Sequence, residues 1–130
     1  MLRLAAERET LRVIDDQIGA PTGADLIADV TAHALRQAMA QDITGTFHLA
    51  PAGHTSWHGY AQFVFESARR LKPEIPLKVQ TVEAIPTTAY PTPAQRPLNS
   101  RLDTTRLQAT FGLQLPHWHT GVLRMLHETL

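Results

Sequence analysis

The sequence predicts a small mixed α/β domain, and three observations carry that prediction. Apolar residues recur at helical spacing, most clearly at Leu26, Val30, Ala34 and Ala38. Between such stretches lie short β-rich runs bounded by turn residues or charges: TLRVI (10–14), TFHLA (46–50) and LKVQTV (77–82). The chain has 130 residues, and this length makes a single domain over 1–130 the default, with one real core.

Each element has its own justification. MLRLAAERE reads as the last turns of an amphipathic helix, with Met1, Leu2, Leu4 and Ala5 apolar and no capping residue ahead of them. TLRVI follows as a strand ended by Asp15. Thr22 reads as the N-cap of a helix over about 23–40, with Asp25 completing a capping-box pattern. Asp25 and Asp29 sit near the positive end of that helix dipole, and Arg36 lies toward the other end. Thr55 or Ser56 caps the next helix, whose inward face is expected to hold Trp57, Ala61, Val64, Ala68 and Leu71. Lys72-Pro73 ends it, because proline cannot continue the ladder. Four prolines between Pro86 and Pro97 argue against regular structure there. Asp103 or Thr104 caps a short helix through Phe111, and Gly112 is placed to end it. A last helix is expected from near Pro116, with Trp118, Val122, Met125 or Leu126, and Leu130 inward. The outline is three short strands and four to five helices.

Composition excludes several function classes. Lys plus Arg equals Asp plus Glu at 12 each, so no electrostatic footprint for nucleic acid or an anionic membrane exists. Cysteine is absent, which removes disulfides, thiol nucleophiles and Cys-based zinc sites. No apolar run approaches membrane-spanning length, and no signal-peptide pattern opens the chain. A cytoplasmic location is the expectation.

Most catalytic constellations fail as well. His54 and His58, and the pair His117 and His119, lack the third ligand and the H-E-x-x-H pattern that zinc would want, so no metal site is expected. There is no G-x-S-x-G elbow, and neither dinucleotide nor Walker glycine loop occurs. Asp15 and Asp16 are adjacent at a strand end and point opposite ways. Two loops remain, DDQIGAPT (15–22) and YPTPAQRPLNSRLD (90–103). The second holds Arg96, Asn99, Ser100 and Arg101 on a proline-stiffened backbone, residue types that suit phosphates and sugar hydroxyls. The competing reading is structural. Arg96 would pair with Asp15 or Asp16, and Asn99 would bond backbone in a turn.

The same loops carry a resemblance. DDQIGAPTGADLIADVTAHAL, GTFHLAPAGHTSWHGYAQFVFESA and AIPTTAYPTPAQRPLNSRLDTTRLQATFGLQLPHW together resemble the C-terminal, substrate-side domain of the dTDP-4-dehydrorhamnose reductases, in the extended short-chain dehydrogenase/reductase family. The resemblance covers essentially the whole chain and implies a small substrate-binding domain from a longer two-domain enzyme. By resemblance the parent reduces a dTDP-sugar with NADPH or NADH, with Mg²⁺ possible, in deoxysugar and cell-surface polysaccharide synthesis. It uses a Rossmann domain and a Tyr-x-x-x-Lys pair. Neither that pair nor the glycine loop is in this sequence, so no catalytic and no cofactor-binding residue is expected here, and the chain alone is expected to be inactive. Gln17 and Thr22 are implied near the domain junction, and Arg96 and Asn99 on the nucleotide-sugar side, as substrate-binding candidates. The alternative is a non-catalytic binding protein, since the regulatory β subunit of methionine adenosyltransferase resembles the same family. The expected partners are a dTDP-sugar, an N-terminal Rossmann domain, and a second copy held through the opening helix.

Overall fold

The computed structural model describes residues 1–90 and 92–130; Pro91, within the proline-rich stretch, lies outside the described residues. The order is α1 (Leu2–Glu7), β1 (Thr10–Ile14), β2 (Ile18–Gly19), α2 (Ala24–Gln41), β3 (Thr55–Ser56), α3 (Trp57–Leu71), β4 (Thr81–Ile85), a 3₁₀ turn (Thr87–Ala89), α4 (Thr105–Phe111) and α5 (Trp118–Thr129). The mixed α/β class, with five α-helices among the described residues, fits the expected four to five. The strands are arranged differently from it. β1 and β4 pair in parallel, Thr10 opposite Thr81 through Ile14 opposite Ile85. β2 and β3 form a separate two-residue antiparallel ladder.

Two expected strands are corrected. TFHLA is extended but unpaired, because strand propensity needs a neighbouring backbone and none is alongside it. Phe47 and Leu49 still pack inward, with the Phe47 ring edge-on to Phe111 at 4.9 Å. The ladder of LKVQTV begins only at Thr81. Ahead of it, Val79 N–H donates to Ala5 O (2.9 Å) and Gln80 N–H to Glu9 O (2.8 Å), so α1 and the link from it to β1 take the bonds a strand would have used.

The helices sit close to their expected bounds, with changes at the starts of α2 and α5. Thr22 does not cap α2; Gly23 holds that position without a side-chain bond, and the Thr22 hydroxyl donates to Ala20 O (2.9 Å). With Gly23 at the cap, Asp25 falls one position short of the place a capping box requires, and its Oδ2 pairs with Arg124 at 2.9 Å instead. Ser56 caps α3 as expected, accepting from Gly59 N–H (3.0 Å). At α4, Thr104 holds the cap position while the bond comes from Asp103, which accepts Thr105 N–H (2.9 Å). α5 begins at Trp118 rather than Pro116, with His117 Nδ1 accepting from His119 N–H.

Two clusters form the interior. The first joins α1, β1, α3 and α5 around Phe65 and Leu126, the two large side chains most completely enclosed. The second is smaller and holds Val30 of α2 against Leu107 and Phe111 of α4. Trp57, expected inward, is instead half exposed at the first position of α3.

Candidate substrate-binding cleft

β2 is two residues long because its neighbours, not its own propensity, define it. On one side Ile18 faces Ser56 and Gly19 faces Thr55. On the other, Ile18 N–H donates to Leu98 O and Ser100 N–H donates to Ile18 O, both at 2.8 Å. The turn-rich loop and the proline-stiffened loop are thereby stitched edge to edge, 80 residues apart in sequence but joined through Ile18 and the Asn99 segment. Their shared surface opens into a cleft of about 460 Å³ walled by residues 17–22, Ser56, Trp57, Tyr60, Arg96, Pro97 and Ser100. Small-molecule sites run from roughly 300 to 1,000 Å³, so the volume suits one ligand.

The floor beside this cleft is rigid. Gln17 is buried, and its side-chain amide donates to Thr87 Oγ1 (3.1 Å). Thr87 in turn gives its hydroxyl to Asp16 Oδ1 (2.5 Å) and its N–H to both Asp16 oxygens (2.9 and 3.0 Å). These bonds from the Thr87 hydroxyl and amide hold the Asp16 carboxyl below its ordinary value. Asp15 turns the other way, accepting from Ser56 Oγ (2.5 Å) with His58 Nδ1 3.6 Å off. Both acids therefore tie β1 to its surroundings, as their opposite directions implied.

The lining has a simple chemistry. Arg96 is its one cation, and no carboxylate is among the lining residues. Trp57 and Tyr60 stand edge-on to each other, ring centres 6.3 Å apart. Burial pushes the Tyr60 phenol above its usual range, so the hydroxyl stays protonated and able to donate. Thr22, Ser56 and Ser100 add hydroxyls. A fork-shaped cation, aromatic faces and scattered hydroxyls suit a ligand that is anionic at one end and ring-bearing with hydroxyls at the other.

Comparison with known proteins gives the family. The model of the RmlD substrate binding domain matches residues 1–130. The chain belongs to that family. It is 58% identical over 129 residues to a dTDP-4-dehydrorhamnose reductase of Escherichia coli (strain K12), covering 98% of the chain and 42% of that relative. It is 48% identical to one of Burkholderia thailandensis, covering 94% of the chain and 43% of the relative. Among solved structures, it matches a Clostridium acetobutylicum dTDP-4-dehydrorhamnose reductase ortholog with TM-score 0.84 at 26% identity, covering 98% of the chain and 41% of that one. A Bacillus anthracis dTDP-4-dehydrorhamnose reductase in complex with NADP matches with TM-score 0.76 at 31% identity, covering 98% of the chain and 41% of its own. The chain thus spans about two-fifths of the length of these relatives.

Within this RmlD-type domain, three of the four candidates from sequence meet. Gln17, Thr22 and Arg96 all line the cleft. Asn99 does not, and here the structural reading holds. Its Oδ1 accepts from Arg101 N–H (3.1 Å) and Arg101 Nε–H (3.0 Å), a side chain folded onto its own turn. Arg96, conversely, pairs with neither Asp15 nor Asp16 among the described residues. Trp57 and Tyr60 were missed. The signal was an aromatic directly after the Ser56 cap, a position no preceding helical turn can cover. Among the described residues, no three His, Asp or Glu side chains gather as metal ligands. His119 lies flat on Phe63, ring centres 4.0 Å apart, which is a packing role.

Proposed function

We propose that this chain is the substrate-side domain of a dTDP-4-dehydrorhamnose reductase, which reduces dTDP-4-dehydro-L-rhamnose to dTDP-L-rhamnose with NADPH or NADH. The observation that carries the reading is the cleft itself: one guanidinium among aromatics and hydroxyls, built from the two loops that the family match spans. Arg96 takes the diphosphate by a bidentate fork. Trp57 and Tyr60 offer ring faces to the base or sugar, and Thr22 with the serines meets hydroxyls. Gln17, locked by Thr87, fixes the height of the β2 wall.

The lining residues do not fit a dinucleotide cofactor, having neither a glycine-rich phosphate loop nor a tyrosine–lysine pair. In this proposal, an N-terminal Rossmann domain of the longer protein binds NADPH or NADH, which supplies hydride when bound. That domain also provides the proton donor and any Mg²⁺ requirement. The role of these 130 residues is to hold and orient the sugar nucleotide and to exclude water from one side. Among the described residues, no helix is long and apolar enough to cross a membrane. We place the reaction in the cytoplasm and its product in cell-surface polysaccharide synthesis, such as O-antigen.

The test is steady-state kinetics of the full-length protein on dTDP-4-dehydro-L-rhamnose with NADPH. Turnover is expected, and Arg96→Lys should raise KM several-fold with kcat little changed, since a point charge replaces a planar fork. Absence of turnover would overturn the reading. A loss of melting temperature in Arg96→Lys with KM unmoved would reduce Arg96 to a structural residue. The 130-residue chain alone should oxidise no NADPH above a buffer control.

A further inference from the structure

Trp57 has little packing of its own to hold it in the cleft wall. It is half exposed, and among the described residues Tyr60 is the ring it meets, edge-on at 6.3 Å. An indole placed so openly takes its position from the backbone beneath it, here the first residue of α3. The N–H groups of a first turn have no partners within the helix, so that turn frays unless something ties it down.

The two sequence neighbours of Trp57 supply the tie. Ser56 Oγ donates to Asp15 Oδ1 (2.5 Å) and accepts from Gly59 N–H (3.0 Å). His58 approaches the same carboxylate oxygen, its Nδ1 standing 3.6 Å from Asp15 Oδ1, an ion pair when the ring is charged. Its Nε2 lies 3.0 Å from Val82 O in β4. A carbonyl oxygen only accepts, so Nε2 carries a hydrogen and donates it. Half of the Asp15 side chain is open to water, which screens the ion pair, so the bond to Val82 carries more of the hold. Asp15 is fixed in turn, its N–H donating to Ile85 O (2.9 Å) at the end of the β1–β4 pair. The His58 side chain is 15% exposed, and neither it nor Asp15 is among the lining residues of the cleft. One imidazole thus spans both strands of the parallel pair and fastens to them the residue next to Trp57.

We propose that His58 is a positioning residue for the cleft: it sets the place of Trp57 by tying the first turn of α3 to β1 and β4. Its expected effect on substrate rests on the reading of the cleft as a sugar-nucleotide site. Its effect on Trp57 does not.

Kinetics and fluorescence test the two parts separately. In the full-length protein, His58→Leu removes both ring nitrogens and should raise KM for dTDP-4-dehydro-L-rhamnose about fivefold with kcat little changed. A merely structural loss of folded enzyme would lower kcat and leave KM where it was. His58→Gln, whose amide can donate to Val82 O, should recover most of the lost affinity. In this chain Trp118 is buried and Trp57 is the exposed one of the two tryptophans, so the fluorescence anisotropy reports the freedom of Trp57. It should fall in His58→Leu and return toward the wild-type value in His58→Gln. With an active wild type, either readout unmoved in His58→Leu would overturn the proposal, as would a His58→Gln variant impaired as far as His58→Leu. A wild type without turnover would remove the sugar-nucleotide reading, and the anisotropy would then decide by itself whether His58 holds Trp57.

Discussion

The two hydrophobic clusters differ in how completely they are closed. Around Phe65 and Leu126, helices α1, α3 and α5 and the β1–β4 pair enclose the side chains from every direction. Around Val30 and Phe111, α2, α4 and the segments that follow each of them contribute, and a groove remains open along one side. The closed cluster anchors α3, whose first turn carries Ser56, Trp57 and Tyr60 into the cleft. The open one leaves α2 exposed at Ile27, Leu35 and Met39.

The largest expected effect probes the closed cluster. Phe65→Ala should cost about 3–5 kcal/mol, because the surrounding elements leave no way for the cavity to collapse. Urea denaturation measures it. Phe111→Ala should cost less, about 2–3 kcal/mol, since the ring edges onto the open groove and Phe47 can shift into part of the space. Equal losses in the two variants would erase the distinction between the clusters.

Next in size is the joint between the closed cluster and the cleft. Ser56 is buried, caps α3 and donates to Asp15, so its hydroxyl ties β1 to the helix that carries Trp57. Ser56→Ala should lower stability by about 1–2 kcal/mol, the usual range for a lost N-cap. The same variant in the full-length protein should raise substrate KM, because Trp57 and Tyr60 lose their anchored first turn. A stability loss with KM untouched would separate the cleft from the cluster beneath it.

How much of this was legible follows from the range of each interaction. α2 and α3 were readable because their apolar period and stop signals are local; Lys72-Pro73 and Gly112 end helices where expected. The short ladders were not. Ile18–Gly19 is a strand only because residues 55–56 and 98–100 arrive on its two sides, a tertiary event with no local signature. TFHLA shows the converse, with good propensity and no partner. In the cleft, the loops announced themselves by turn chemistry and Arg96 by its residue type. Trp57 was assigned inward by a helical period that does not apply before the first turn has neighbours. Asn99 had the right residue type, but a local turn claimed its oxygen.

The smallest effect is expected at the rim of the closed cluster, where pH acts through His119. Desolvation against the cluster, and then the neighbouring His117, lower its pKa below the ordinary value of 6.5. The fold therefore favours the neutral ring. Above pH 6.5 both folded and unfolded chains hold it neutral, and its packing on Phe63 contributes in full. As pH falls below 6.5 the unfolded chain takes up the proton first, so stability is progressively lost until the folded pKa is passed. Asp16 behaves alike in a more acidic window, its contribution present above 3.8 and lost as pH falls through its lowered folded value. The melting temperature of the wild type should thus decline between pH 7 and pH 5 more steeply than that of His119→Gln, which keeps a polar side chain but has no proton to gain. Parallel declines would mean that the ring titrates freely and that the rim of the closed cluster is as open to water as the groove beside α2.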